Sequence, residues 1–149
     1  MAEIARTRII AAAPQEVWNV LADFGALSTW VDRADHSSIL VHGPGGGPIG
    51  TSRRVQMGRN TLVETMVEFD PPRALAYEIE GLPKPLGRVA NRWTLRPQDD
   101  ATSVTLTSTV EIGSGPLRQL VERAVCRVMA RESDGMLAGL AKRLENSRV

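Results

Sequence analysis

Glu3 to Ala12 carries Ile4, Thr7, Ile9 and Ile10, residues that favour extended backbone, and a first strand is expected there. Pro14 ends it. Proline fits the first turn of a helix, Glu16 is an acid where the helix dipole favours one, and Val17, Trp18 and Leu21 recur at helical spacing, so a short helix follows. Residues 23–30 make a second short helical turn ending near Trp30. From about His36 to Ile112 the pattern changes to short β-type runs. Strands are expected at 36–42, 50–57, 61–69, 74–80, 88–96 and 102–112. They are separated by Gly43-Pro44-Gly45-Gly46-Gly47-Pro48, Gly58-Arg59-Asn60, Asp70-Pro71-Pro72, Gly81 to Gly87 and Pro97 to Asp100. Such short connections imply an antiparallel meander. Leu75, Tyr77 and Ile79 alternate with Ala76, Glu78 and Glu80, and Val104, Leu106, Val110 and Ile112 with Thr105, Thr107, Thr109 and Glu111, so one sheet face is buried and the other wet.

After Gly113-Ser114-Gly115-Pro116 the β signal vanishes, and Leu117 to Leu144 contains no proline. At 1.5 Å per residue a continuous helix there is ~42 Å long, enough to cross a whole sheet. Leu117, Leu120, Val121, Ala124 and Val128 fall on one stripe, whereas Met129, Met136, Leu137, Leu140 and Leu144 cluster on nearly the opposite side. Either the helix is apolar on two faces in its two halves, or it breaks or kinks between them. The resulting architecture is α+β, with a seven-stranded antiparallel sheet, two short helices after strand 1 and a long C-terminal helix laid on one face. A sheet twists while a helix stays nearly straight, which can leave a space between them. No internal repeat or second domain interrupts residues 1–149.

Composition narrows the function classes. With 42% hydrophobic and 23% charged residues the chain is an ordinary globular sequence, neither disordered nor fibrous. Eighteen basic against 17 acidic residues leave a net charge of +1, which gives no electrostatic case for nucleic acid. The single cysteine, Cys126, allows no internal disulfide and no C-x-x-C metal pair, and a reducing cytoplasm is the expected compartment. Neither a signal-peptide h-region nor a run of ~18 apolar residues is present, so no integral membrane association is expected. Oligomeric state is not legible. The few aromatics, Trp18, Phe24, Trp30, Phe69, Tyr77 and Trp93, all lie in the first two thirds of the chain.

Ala13-Pro14-x-Glu16-Val17-Trp18, followed by Leu21, Asp23, Leu27 and Trp30, resembles the start of the polyketide cyclase/dehydrase group of the SRPBCC superfamily, which includes START lipid-transfer domains and the birch pollen allergen. Further matches are Gly50-Thr51 at the third strand, Glu64, Asp70-Pro71-Pro72-Arg73-x-Leu75-x-Tyr77, Trp93 and Thr102. Ala101 stands where the group usually has glycine. The resemblance covers nearly the whole chain. It implies a helix-grip fold, the sheet wrapped around the long helix, and a deep cavity for an apolar ligand. It implies no single activity, because members include binders, aromatases and cyclases.

Gly45-x-Gly47-x-x-Gly50 formally matches a dinucleotide fingerprint, but it contains Pro48 and opens a strand rather than a helix, so it reads as a hairpin loop. Gly135 and Gly139 each cost about 1 kcal/mol in a helix interior and point to a packing or cavity reason. One face of that half would line the void with Glu132 or Ser133 as a polar contact; alternatively Glu132 faces water, which the apolar stripe favours. Val63, Val67 and Phe69 make the other side of its strand the more apolar, so Glu64 reads as an outer-face partner of a cross-strand pair. Met66 keeps an inward Glu64 open, with Arg53, Arg54 or Arg92 as its donor and a ligand carbonyl or hydroxyl as the group such a pair would orient. Trp30, Tyr77 and Trp93 can form a polar-tipped aromatic wall or plain core. His36 and His42 are expected at the surface or mouth, Cys126 is a structural thiol, and Arg123, Arg127 and Arg131 form a ridge that is either a solvated face or one that meets an anionic lipid surface or acidic partner.

The leading expectation is a binder of a small or medium hydrophobic molecule, lipid- or polyketide-like, held by apolar burial with a few orienting polar groups. Its wall would be Trp30, Ile39, Val41, Val55, Met57, Tyr77, Trp93, Leu106, Met129, Ser133, Met136 and Leu140, with Arg53, Glu64 and Glu132 as polar contacts. No metal, cofactor or assigned catalytic residue is expected. One rival is a cyclase, dehydratase or aromatase, which would need an acid or base drawn from Glu64, Glu132, Tyr77 and Arg53. Another is an interaction module whose core is packed solid.

Overall fold

The computed structural model describes residues 2–82, 86–113 and 115–146. Pro83-Lys84-Pro85 of the expected 81–87 turn and Ser114 of the 113–116 connection lie outside the described residues. The elements are β1 (Ala2–Ile10), α1 (Pro14–Ala22), a 3-10 helix (Phe24–Thr29), β2 (His36–Val41), β3 (Ser52–Met57), β4 (Asn60–Asp70), β5 (Ala74–Glu80), β6 (Leu86–Gln98), β7 (Ala101–Ile112) and α2 (Arg118–Asn146), with a 3-10 turn at Pro44–Gly46. The strands form one antiparallel sheet in the order β1-β7-β6-β5-β4-β3-β2. Every step from β2 to β7 is therefore to a sequence neighbour, and β1 closes against the last strand.

Local chemistry explains the boundaries. Pro14 opens α1, and the Glu16 carboxylate accepts the Ala13 N–H at 3.4 Å, half of a capping box, because alanine has no acceptor to complete it. Gly58, at φ 59°, makes the tight β3–β4 turn in a region that favours glycine. Asp99, at φ 54°, turns the chain between β6 and β7, so β6 runs through Pro97 rather than ending at 96.

The long helix is unbroken over its 29 residues, and of the two alternatives it is apolar on two faces. Ser133, Met136, Leu137, Leu140, Ala141 and Leu144 are buried with the sheet, while Leu117, Leu120 and Val128 of the first stripe stand outward. α2 lies against β1 and β7, tied at its middle by Arg6 and Asp134 through two 2.8 Å hydrogen bonds. Gly139 permits this approach, since a Cβ there would stand 2.2 Å from the Trp30 carbonyl oxygen.

The six aromatic side chains meet in three pairs across the boundary between the helical segment and the sheet. Trp18 meets Phe69 at 5.2 Å between ring centroids, Phe24 meets Tyr77 at 5.7 Å, and Trp30 meets Trp93 at 5.8 Å, all edge-on. Edge-to-face pairs add to plain area burial. The aromatics thus fasten the 14–30 segment onto the curled sheet on the side where α2 closes.

Candidate functional site

The inner sheet face is mostly apolar and carries one staggered row of buried polar side chains across its middle. Arg53 on β3 stands opposite Glu64 on β4, and Tyr77, Asn91 and Ser108 stand opposite one another on β5, β6 and β7; the step from β4 to β5 is staggered by two residues, since Tyr77 pairs with Met66 and Glu64 with Ile79, and all five side chains are buried. Arg53 and Glu64 are directly paired residues of β3 and β4, and Arg53 Nε donates to Glu64 Oε1 at 2.7 Å. Arg53 Nη1 donates to the Phe24 carbonyl at 2.9 Å, and its guanidinium lies 3.8 Å from the Phe24 ring centroid and 4.6 Å from that of Tyr77. A buried charge held by one carboxylate, one carbonyl and two ring faces is a compensated one.

The row continues through the Tyr77 hydroxyl, which accepts from Asn91 Nδ2 and from Trp93 Nε1, both at 3.3 Å. Ser108 Oγ donates to Asn91 Oδ1 at 2.5 Å. Burial, chiefly, and the Glu64 charge hold the Tyr77 hydroxyl above the ordinary tyrosine value, so it is a neutral phenol. Two donors in this region find no hydrogen-bond acceptor among the described residues: Trp30 Nε1 and Arg53 Nη2. Nη2 does lie 2.7 Å from Glu64 Oε1, but not in hydrogen-bond geometry, so the ion pair satisfies its charge and leaves its N–H groups unused. Orphaned buried N–H groups cost about 1–3 kcal/mol each and call for an explanation.

Glu64 thus corrects the favoured expectation of an outer-face pair. The inner face of β4 is Leu62, Glu64 and Met66, and an irregularity between Met66 and Glu68 turns Val67 outward while Phe69 still packs inside. Periodicity read across that bulge assigns the wrong face to everything before it. Val41 is the second correction. A register shift between Ile39 and Val41 sets Val41 opposite Ser52 on the outer face, 61% exposed, while Ile39 stays opposite Arg53 and packs on the core. Met129 belongs to a separate small cluster with Ala2, Val89 and Val110, away from the aromatic wall.

The remaining candidates come together. Trp30, Val55, Tyr77, Trp93, Leu106, Ser133, Met136 and Leu140 are buried on the inner side, with Met57 half-buried beside them. Val55, Leu106 and Leu140 have no accessible surface, so no water-sized void touches them in this closed arrangement, and Tyr77 and Trp93 keep only 1%. A cleft of about 200 Å³ lies at the surface between Val31, Asp32 and Arg33 on one side and Arg131, Glu132, Gly135 and Met136 of α2 on the other. Arg33 and Glu132 form an ion pair there, which places Glu132 half-buried at the rim rather than in open water. Gly135 has open space where a Cβ would stand, and Met136 floors the cleft. His36 and His42 are exposed, Arg123, Arg127 and Arg131 likewise, and Cys126 is a free, half-buried thiol.

Sequence reasoning missed Asn91, Ser108, Phe24 and Arg33. For Asn91 and Ser108 a signal existed: each breaks an inward apolar series, Val89-x-x-x-Trp93-x-Leu95 and Val104-x-Leu106-x-x-x-Val110. Phe24 acts through its carbonyl and ring, and Arg33 through a loop, neither of which leaves a periodic trace.

An open antiparallel sheet gripping one long helix, with a buried polar row beneath it, defines a helix-grip protein of the START-like kind. The chain belongs to the family described as polyketide cyclase/dehydrase and lipid transport, whose profile matches residues 1–145. Among solved structures it is similar to an aromatase/cyclase, Zhui, from a Streptomyces species (20% identity, TM-score 0.81, covering 99% of this chain and 95% of that one). It is also similar to a START superfamily protein from Mycobacterium smegmatis (16%, TM-score 0.78, 98% and 99%) and a Thermobifida fusca protein (25%, TM-score 0.80, 98% and 95%). No curated protein matches the chain. Among the described residues no helix is long and apolar enough to cross a membrane, and no cluster of side chains could hold a metal ion.

Proposed function

We propose that the chain binds a small or medium hydrophobic molecule, lipid- or polyketide-like, between α2 and the inner sheet face, and orients it through acceptor oxygens. The observation that carries this reading is the pair of orphaned donors, Trp30 Nε1 and Arg53 Nη2, in side chains more than nine-tenths buried, where the neighbouring buried polar groups are otherwise partnered. A core selected for packing alone would have given those N–H groups partners. A ligand carbonyl or hydroxyl supplies them, and its apolar body replaces contacts that now close on themselves. Space for it comes from separating α2 from the 31–33 loop at the cleft, where one solvent-facing ion pair, Arg33 to Glu132, is the polar tie. Met57, Met66 and Met136 adapt to an irregular guest more readily than branched side chains do.

The convergence of Arg53, Glu64 and Tyr77 favours a second reading, a cyclase or dehydratase. In it the neutral Tyr77 phenol would be the acid and Arg53 would stabilise a developing oxyanion. Native mass spectrometry of the protein purified from its own cells tests the first reading. A co-purified apolar species, or thermal stabilisation by lipids, polyketides or flavonoid-like compounds, is expected. No bound species together with no stabilisation by any of them overturns it. Turnover of a bound polyketide that is lost in Tyr77→Phe would select the second.

A further inference from the structure

The buried positions of α2 fix which way the rest of the helix faces. At about 100° per residue, the direction opposite Ser133, Met136, Leu140 and Leu144 is held by Leu117, Leu120, Ala124, Val128 and Arg131. Leu117, Leu120 and Val128 are 64%, 62% and 58% exposed. Single exposed aliphatic side chains are ordinary, but Leu120 and Val128 on one outward stripe of a helix, extended by Leu117 at the residue before it, are not. Beside them Arg123, Arg127 and Arg131 are exposed, and among the described residues none has a carboxylate at ion-pair distance. Glu122 is taken by Arg118 at 3.3 Å, and Glu132 by Arg33. Between Leu117 and Arg131 the chain has four arginines and one glutamate, in a protein whose net charge is +1.

We propose that this outward face of the first half of α2 docks on an anionic lipid bilayer. The aliphatic stripe sits at the boundary of head groups and acyl chains, and the guanidiniums of the ridge along its one flank reach the phosphates, as on helices that lie in the membrane surface. A second copy of the chain fits the face less well, because a two-fold contact would bring the two arginine ridges together. Arg131 belongs both to this face and to the rim of the Val31–Met136 cleft, so docking brings that cleft to the bilayer. The inference concerns the surface and goes beyond the binding proposed for the interior.

Co-sedimentation of the full chain with vesicles tests it, using three parts phosphatidylcholine to one part phosphatidylglycerol against pure phosphatidylcholine. Binding is expected to the anionic vesicles only, and to fall as salt rises. Each arginine near an anionic surface is worth about fivefold, so Arg123→Gln with Arg127→Gln should weaken binding roughly 25-fold. Leu120→Ser with Val128→Ser should abolish it, both changes lying at exposed positions that leave the circular dichroism of the fold unchanged. Equal binding to both vesicles, no binding, or undiminished binding by these variants overturns the proposal. So does a concentration-dependent dimer in sedimentation velocity that Leu120→Ser abolishes, which would give the face to a second copy. Stabilisation by a water-soluble flavonoid-like compound is scored on the same samples without vesicles, so failure of interior binding and failure of docking are read separately.

Discussion

Residues 118–128 and 133–144 belong to one unbroken helix, yet they place their apolar side chains on opposite sides. The second half is pressed into the sheet, with Leu140 fully buried and Gly139 against the backbone of Trp30; the first half turns Leu117, Leu120 and Val128 to the outside. Only Val125, Cys126 and Met129 of the earlier turns pack inward, on the small cluster of Ala2, Val89 and Val110. An apolar stripe on a helix therefore does not by itself mark the face that the sheet covers. The same division runs through the ion pairs: Arg53–Glu64 lies inside, while Arg92–Glu68 lies on the wet face of the same sheet with side chains 51% and 38% exposed.

The largest effect is expected beneath the buried half. Arg53→Met leaves the Glu64 carboxylate buried without its cation and should cost about 3–5 kcal/mol in urea unfolding, whereas Arg92→Met, on the outer face, should cost about 0–1 kcal/mol. Equal losses from the two would break the distinction. Within the helix, Leu140→Ala should cost about 2–5 kcal/mol and Leu120→Ala no more than roughly 0.5 kcal/mol.

Two glycines four residues apart give a sharper contrast. At Gly139 an added methyl meets backbone at 2.2 Å and nothing there can yield cheaply, so Gly139→Ala should destabilise by about 1–3 kcal/mol. At Gly135 the space is open, so Gly135→Ala should stabilise by up to about 1 kcal/mol while narrowing the cleft. Losses at both positions would mean that the cleft is not free.

The smallest effect is a titration. Tyr77 is the one tyrosine of the chain, so tyrosinate absorbance reports on it alone. Its folded value is raised, so the folded state holds the proton more tightly than the unfolded one. Its contribution is complete below the ordinary value near 10 and is lost as pH rises through the folded value. The absorbance step should therefore come above pH 10 and coincide with unfolding, and Tyr77→Phe should flatten stability in that range. A step at the ordinary value with the fold intact would show Tyr77 to be open to water.

Much of this fold was legible because period and punctuation act locally. The seven strands, the two short helical pieces and the long helix follow from alternation, from Pro14, and from glycine and proline at the turns. The candidate site was legible as a set of residue types, Arg53, Glu64, Tyr77 and Trp93, but not as a geometry. Glu64 and Val41 were assigned to the wrong faces because a bulge follows one and precedes the other, and a single extra residue reverses every assignment on one side of it.

The order and type of elements, the family, and the supply of aromatics to the 14–30 segment and the sheet are all written in the residue pattern. Which of them meet is set by the folded chain: the three aromatic pairs, the staggered polar row and the orphaned Trp30 and Arg53 donors. The reason is physical. Propensity and periodicity are set by neighbours a few residues apart, whereas strand register, bulges and the approach of α2 to Trp30 are set by packing between segments as much as 109 residues apart, which no local pattern encodes.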